Sequence, residues 1–350
     1  MPRTLCIVGA GPAGLAAAHA LRATDVRVVV VEKSRGRGGR AATRWRDVAS
    51  ARGGTERWRY DHGAQVLTLD ARAAALARDT LDATGLVQID GPVWPFDSDG
   101  TLHPDRARDE ARWTYADGLS ALGHRLVDAT PGLDLRLSTR VNAVVRDGAA
   151  WRVETDAGPV VADAVLVTAP APQASTLVQD AAPSLAAALA AVPYRSQFSV
   201  VWAFDQPVPR RDAYALVHTG DGAHPVAWLA VESDKPGRAP SGGTILIAQM
   251  SDAWTAAHYE ADRDAVVAAA VPHVEGLVGG ALPAPLFTDT QRWRYSLPDA
   301  ALDAHARAAA EADGLFVAGD GIIGRGRIHL ALHDGADAAE RAAGWLGAAT

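Results

Sequence analysis

The chain has a single cysteine, Cys6, so it can build neither an intrachain disulfide framework nor a cysteine-rich metal site. Cys6 lies in an apolar run just before a glycine loop and reads as a small core residue. Positive charge is also short. The 34 Lys and Arg face 41 Asp and Glu, a net charge of −7, which argues against general affinity for nucleic acid or an anionic membrane. No segment offers the ~20 uncharged apolar residues needed to span a bilayer. Leu5 to Leu21 is nearly uncharged, yet it reads better as strand, glycine turn and Ala-rich helix than as a signal peptide. The expectation is a cytoplasmic protein. Hydrolase and kinase readings find no support: there is no Gly-x-Ser-x-Gly, no phosphate loop ending Gly-Lys-Ser/Thr and no His-Glu-x-x-His. No internal repeat or low-complexity linker is visible.

What is present is a folded chain of 350 residues, 48% hydrophobic and 21% charged, with room for a large core, a cleft and one or two domains. Its ten Trp are a high count, and large aromatics line clefts as well as cores. Thr4 to Val8 reads as a strand, Pro12 to Ala23 as a helix, and the β-branched run Val26 to Val31 as a strand buried on both faces. Further helices are expected at Asp70–Thr84 and Gly118–Val127. Strands follow at Leu133–Leu137, Val141–Arg146, Trp151–Thr155 and Val160–Thr168, with turns at Asp147-Gly148 and Asp156-Ala157-Gly158. A second region has strand candidates at Phe198–Phe204, Tyr214–His218, Val226–Val231, Thr244–Met250 and Gln291–Tyr295. It also has one long helix, about Trp254 to Leu277. Leu315–Ala318 is a last strand and Leu330–Leu346 a closing helix.

The chemistry starts at Gly9-Ala10-Gly11-Pro12-Ala13-Gly14. Gly9 allows a tight turn after the strand, Gly11 lets backbone approach a pyrophosphate, and Gly14 lets the helix pack closely, its N-terminus facing the phosphates. Glu32 ends the second strand eighteen residues past Gly14, where a carboxylate accepts from a ribose hydroxyl. Lys33 opens the basic, Gly-rich stretch that runs on to Gly39 and Arg40, a second cationic clamp for a pyrophosphate or simply a solvated loop. Gly319-Asp320, about 300 residues on, follows a strand and places a carboxylate for a ribityl chain. Two dinucleotide-contacting regions so far apart point to FAD rather than a simple NAD site.

Gly9–Gly14, Glu32, Lys33-Ser34-Arg35-Gly36 with Gly38-Gly39-Arg40, Asp61-His62-Gly63-Ala64-Gln65 and Gly319-Asp320 resemble the flavin-containing amine oxidase superfamily. Within it, Lys33–Arg40 followed by His62–Gln65 is most similar to renalase and its bacterial relatives, and Arg292-Trp293-Arg294-Tyr295 also resembles a stretch of those proteins. The resemblance implies an α/β fold, a Rossmann-type FAD-binding domain with an inserted mixed-sheet substrate domain, and non-covalent FAD. It divides the chain into residues 1–66, 118–170 and 300–350 for FAD and residues 67–117 and 171–299 for substrate. It also implies that Val141 sets its backbone against the adenine, that Arg40 and Ala13 touch the phosphates, and that Gly63, Ala64 and Gln65 lie near the flavin. Bacterial renalases pass hydride from dihydronicotinamide isomers of NAD(P)H to flavin and electrons on to dioxygen; amine oxidases take hydride from a carbon next to nitrogen. The sequence departs from the renalase pattern at Val66, where Tyr is usual, and at Gly326-Arg327-Ile328-His329-Leu330, where a Val-Glu-Gly-like run is expected.

That second departure places His329 near the flavin. A last helix starting near Ile328 aims its partial positive charge at the flavin carbonyl, worth roughly 0.3–1 kcal/mol at exposed sites, and His329 adds a proton donor or a cation. The alternative is a helix-cap or surface histidine. His329 and His333 have the spacing of a two-His metal face, but no acidic or Cys companion stands at ligand spacing, so no metal is expected. Trp293 and Tyr295 share a strand face with Gln291, with Arg292 and Arg294 opposite. One face would stack on a flat ring while the other meets phosphate or carboxylate, or both serve sheet packing. Trp202 and Trp228 read as core. His62 is a flavin neighbour or a hydrogen-bonded structural histidine. The function expected is an oxidoreductase passing hydride from a reduced nicotinamide to FAD, with dioxygen as acceptor. The alternatives are an amine or amino-acid oxidase, a non-catalytic flavin-binding protein, and a plain NAD-dependent dehydrogenase.

Overall fold

The structure, a computed structural model, describes residues 2–49, 53–220 and 222–348; the remainder of the expected 1–66 and 300–350 segments lies outside the described residues. A five-stranded parallel sheet carries the glycine loop, in the order Leu315–Val317, Ala164–Val167, Thr4–Val8, Arg27–Val31 and Asp134–Arg136. Its central strands are apolar throughout because both faces are covered. Leu5, Ile7, Val30 and Leu166 point into one core, with helix Pro12–Ala20 and the last helix, Ile328–Ala348. Cys6, Val8, Val29, Val31, Val165 and Val167 point into the other. Burial pushes the Cys6 thiol up to about 12, which makes it inert.

A six-stranded sheet stands over the carboxyl ends of those strands, in the order Phe287–Pro298, Tyr194–Phe204, Thr244–Met250, Val226–Val231, Ala215–His218 and Val93–Phe96. Trp202, expected in a core, is 1% exposed there. The α/β architecture is the expected one.

Several local expectations change. Asp70–Thr84 is helical only over Ala71–Ala75, followed by a wide turn, Leu76–Thr80, closed by the Leu81 N–H to the Leu76 carbonyl. Val160–Thr168 divides at Asp163 into two strands in different sheets, because the Asp163 carboxylate turns inward to accept from the Thr4 N–H at 2.7 Å. The long helix is two, Asp252–Ala257 and Arg263–Val278. Asp262 caps the second by accepting from the Ala265 N–H, and a cap starts a new helix. Helices Ala171–Val178 and Pro183–Ala190 pack on the parallel sheet with Val165 and Val167, although the expected division places them with residues 171–299 in the substrate domain. The hairpin Thr43–Ala49 and Thr55–Asp61 has no counterpart in the sequence reading. Its Trp58 and Tyr60 pack on the six-stranded sheet against Val201, Ile247 and Phe287.

Candidate active site

The glycine loop divides its labour as the spacing suggests. Gly9 has φ 111°, and a Cβ there would lie 2.7 Å from Thr168 Oγ1. A Cβ on Gly14 would meet the Gly9 carbonyl oxygen at 2.0 Å, so only glycine lets the helix sit this close to the strand. A Cβ on Gly11 would meet nothing within 4 Å, because it faces open cleft. Pro12 starts the helix, where its missing N–H costs nothing. The Glu32 carboxylate accepts from the Ala10 and Ser34 N–H groups at 2.9 and 2.8 Å, which fixes it at the strand end with lone pairs to spare.

The basic loop folds back onto this turn: the Gly38 N–H donates to the Ala10 carbonyl, and a Cβ on Gly39 would lie 3.3 Å from Gly11 Cα. Lys33 is exposed at the rim. Arg40 does not stand free as a phosphate clamp. Its guanidinium donates to both Asp320 oxygens at 2.5 and 2.6 Å, and to the Tyr295 and Ser296 carbonyls at 3.1 and 2.9 Å. The Tyr194 hydroxyl donates to Asp320 Oδ1 at 3.1 Å. Two residues assigned separately to a cofactor thus form one ion pair. Gly319, φ 118°, donates its N–H to Asp334 Oδ2, which aims the short turn that carries Asp320.

The segment Asp61 to Gln65 sits where the two sheets meet. A Cβ on Gly63 would lie 2.0 Å from the Arg40 carbonyl oxygen. The Ala64 N–H donates to that same oxygen, and Gln249 Nε2 donates to the Gly63 carbonyl at 2.6 Å. Gln65 Nε2 donates to the Asp61 and Gly63 carbonyls, leaving Gln65 Oε1 buried without a partner. The His62 ring stacks on Trp293, centroids 5.4 Å apart, and the His62 carbonyl accepts from Trp293 Nε1 at 2.9 Å. Burial, then the Arg44 charge, lowers the His62 pKa to about 4, so the ring is neutral at neutral pH, with Nδ1 unpartnered.

Behind this segment lies a network that the sequence reading missed. Asp61, Glu232, Lys235 and Arg238 are each at most 1% exposed. Lys235 Nζ lies 3.2 Å from Asp61 and 2.6 Å from Glu232; Arg238 reaches the same carboxylates at 2.6 and 2.9 Å. The Arg238 guanidinium also donates to Thr114 Oγ1 and to the Tyr115 and Ala116 carbonyls. Burial alone would raise the Asp61 carboxyl, but Lys235, Arg238, Thr43 and the Leu119 N–H overcome it and hold it at about 2. In Glu232 burial outweighs Lys235, and its pKa rises. In sequence Glu232-Ser-Asp-Lys235-Pro-Gly-Arg238 looks like a solvated turn. The available signal was scarcity, since the chain has two lysines.

On strand Phe287–Pro298 the odd face carries Gln291, Trp293 and Tyr295 toward the cleft. Arg44 binds Gln291 Oε1 and Asp289, and Tyr295 meets Tyr194 edge-on at 5.8 Å. On the other face Arg292 lies 4.5 Å over the Tyr259 ring, and both Arg292 and Arg294 also border the cleft. At the opposite wall, Ile328 is buried at the start of the last helix and His329 follows, with Nδ1 buried and unpartnered. Burial lowers its pKa. Trp228, expected in the core, lines the cleft with an unpartnered Nε1.

Apart from Gly14, every residue singled out as catalytic or cofactor-binding lines one cleft of about 2020 Å³, including Val141 at the mouth of its strand. Single-ligand pockets run to about 300–1,000 Å³, so the space suits two ligands side by side. Among the described residues its lining carries eleven Lys and Arg against three acids, although acids outnumber cations in the chain. The open face at Gly11, the anchored Glu32 and the unpartnered Gln65 and His62 atoms fit a dinucleotide carrying a flat, polar ring. The cleft therefore accommodates FAD.

Comparison with known proteins agrees. A family model described as flavin containing amine oxidoreductase matches residues 101–343, and one for an NAD(P)-binding Rossmann-like domain matches residues 7–80. Among solved structures, a candidate protoporphyrinogen oxidase from Exiguobacterium sp. 255-15 superposes with TM-score 0.77 at 19% identity, covering 97% of this chain and 98% of that one. A putrescine oxidase bound to putrescine gives 0.69 at 14%, covering 97% and 98%. A CLA-producing fatty acid isomerase from P. acnes gives 0.68 at 14%, with the same coverage. At these identities the likeness shows the fold.

Proposed function

The chain belongs to the flavin containing amine oxidoreductase family, and from that premise we propose that it is a renalase-type enzyme oxidising a reduced nicotinamide, with dioxygen as acceptor. The observation that carries this reading is the charge of the cleft. Eleven cations against three acids favour a phosphate-bearing substrate beside the cofactor and disfavour a diamine, which would bring two positive charges into the same field.

The chain is an FAD-dependent oxidoreductase, and we propose that it holds FAD without a covalent bond, consistent with its one thiol lying in the core. The Gly11 backbone and the helix N-terminus at Pro12 would meet the diphosphate, Glu32 a ribose hydroxyl, and Asp320, held by Arg40, the ribityl chain. Val141 would lie against the adenine, with Lys33 and Gly39 beside the phosphates. We further propose that residues 1–66, 118–170 and 300–350 hold this cofactor, that residues 67–117 and 171–299 hold the substrate, with the first two helices of the latter segment packed on the cofactor-side sheet, and that the protein works in the cytoplasm. FAD supplies the hydride acceptor. A dihydropyridine needs little acid–base help, so the protein's task is to position the ring and exclude water. Trp293, steadied by His62, and Tyr295 offer an aromatic wall, while Gln65 Oε1 and Trp228 Nε1 offer an acceptor and a donor. Neutral His62 adds no charge at the ring.

The same cation excess favours a second reading, a carboxylate-bearing tetrapyrrole of the kind named for the Exiguobacterium neighbour. Anaerobic mixing of the yellow protein with dihydronicotinamide isomers, protoporphyrinogen and a panel of amines separates the readings. Bleaching by the nicotinamides is expected. A response to amines alone overturns the proposal, and none to any of them leaves flavin binding without turnover.

A further inference from the structure

We propose that His329, His333 and Asp70 form a proton relay from the cleft to the protein surface, serving the proton uptake that accompanies dioxygen reduction. The inference rests on the oxidase reading and extends it to residues outside the cofactor site.

The three side chains run from inside to outside. His329 lines the cleft from the first turn of the last helix, and its Nδ1 is buried without a hydrogen-bond partner. His333 follows one turn later on the same face, its ring 6.0 Å from that of His329 and inclined at 76°. His333 Nε2 lies 3.3 Å from Asp70 Oδ1, an ion-pair separation without hydrogen-bond alignment. The His333 side chain is 18% exposed and that of Asp70 is 43% exposed, so the row ends in water. Beside His333 is a second cavity, about 100 Å³, also lined by His19 and Arg72. His19 Nε2 and His333 Nε2 are both buried there without hydrogen-bond partners.

The charges around the row favour passage. Arg327 and His333 both oppose a proton on His329, as does burial, while Asp70 draws one inward. Arg72 is committed to Asp337 at 2.7 Å and leaves Asp70 as the acid facing His333. His329 therefore holds a proton less tightly than a free imidazole does, the direction that favours passing it on into the cleft.

The stoichiometry requires such a supply. A hydride brings two electrons and one proton, and converting dioxygen to hydrogen peroxide takes two electrons and two protons. The second proton leaves His329 as its N–H bond breaks and an O–H bond of the peroxide forms. His329 then recovers a proton from His333, and His333 from Asp70 or from water at the surface.

The test uses the flavin-loaded protein, photoreduced without any substrate and mixed with dioxygen in a stopped-flow instrument across the range where histidine titrates. His333→Gln is expected to slow reoxidation about tenfold and flatten its pH profile. That is less than the ~10²-fold of a fully positioned donor, because water reaches the open cleft. Added imidazole should restore part of the rate. Asp70→Asn keeps the helix cap that Asp70 makes to the Ala73 N–H, removes the charge, and should give the same phenotype at an unchanged melting temperature. Side-chain NMR of labelled histidines supplies a readout apart from turnover: Asp70→Asn should displace the titration of His329. Unchanged reoxidation in both variants, or a His329 titration blind to Asp70, overturns the relay. A protein that purifies without flavin would sink the oxidase reading instead, and the histidine titrations would still decide whether the row is coupled.

Discussion

Arg40 holds Asp320 through two hydrogen bonds, 2.5 and 2.6 Å long, between residues 280 positions apart in the chain. The pair ties the basic loop near the N-terminus to the turn before the last helix, and so closes the cleft wall from both ends of the chain. Arg40 also carries the Tyr295 and Ser296 carbonyls, which joins the six-stranded sheet to the same point.

Breaking this pair strands a carboxylate that is 8% exposed. Arg40→Ala is expected to cost roughly 2–4 kcal/mol, below the figure for a fully buried pair because Arg40 is 29% exposed. A double-mutant cycle with Asp320→Ala, read by denaturant unfolding, should recover part of that loss. Additive losses would show that the two residues act separately.

Gly11 and Gly14 should fail in different ways. Gly14→Ala drives a Cβ to 2.0 Å from backbone and should unfold or strongly destabilise the protein even without cofactor. Gly11→Ala meets open space, so apo stability should stay within about 0.5 kcal/mol while FAD binding weakens. Thermal melts of the apo forms and FAD titration by fluorescence distinguish the two.

Asp61→Asn removes one of the two anions that face Lys235 and Arg238 and leaves an uncompensated buried cation. A loss of ~3–5 kcal/mol is expected. Because the Gln65 amide is tied to the Asp61 carbonyl, the flavin spectrum should shift as well. A mutant as stable as the parent would contradict a coupled network.

His62 makes the protein sensitive to acid. Its folded pKa of about 4 lies below the ordinary 6.5, so between the two the unfolded chain binds a proton that the folded chain does not. Stability should fall as pH drops through that interval, by up to ~3 kcal/mol. His62→Phe keeps the stack on Trp293 and should flatten this part of the stability profile. An unchanged slope would assign it to other groups.

The glycine loop, the apolar strands and Glu32 were legible in the sequence because they answer local constraints: a positive φ at Gly9, a helix packed against Gly14, a strand covered on both faces. His329 and Trp293 could be placed near the cleft from their neighbours alone, yet their partners could not. Periodicity does not record which charges meet across 174 positions of the chain, as Asp61 and Lys235 do. Nor does it show that Arg40 spends its donors on Asp320, or that the hairpin Thr43–Asp61 lies on the second sheet. The Trp254–Leu277 run looked like one helix because its composition is continuous, and a single cap at Asp262 divided it. Sequence determined the parallel sheet and its dinucleotide loop, since those rest on short-range sterics and hydrophobic pattern. Tertiary structure decided the buried ion network, the charge of the cleft and the row from His329 to Asp70. Each depends on side chains brought together from distant segments, where burial sets the strength of every charge.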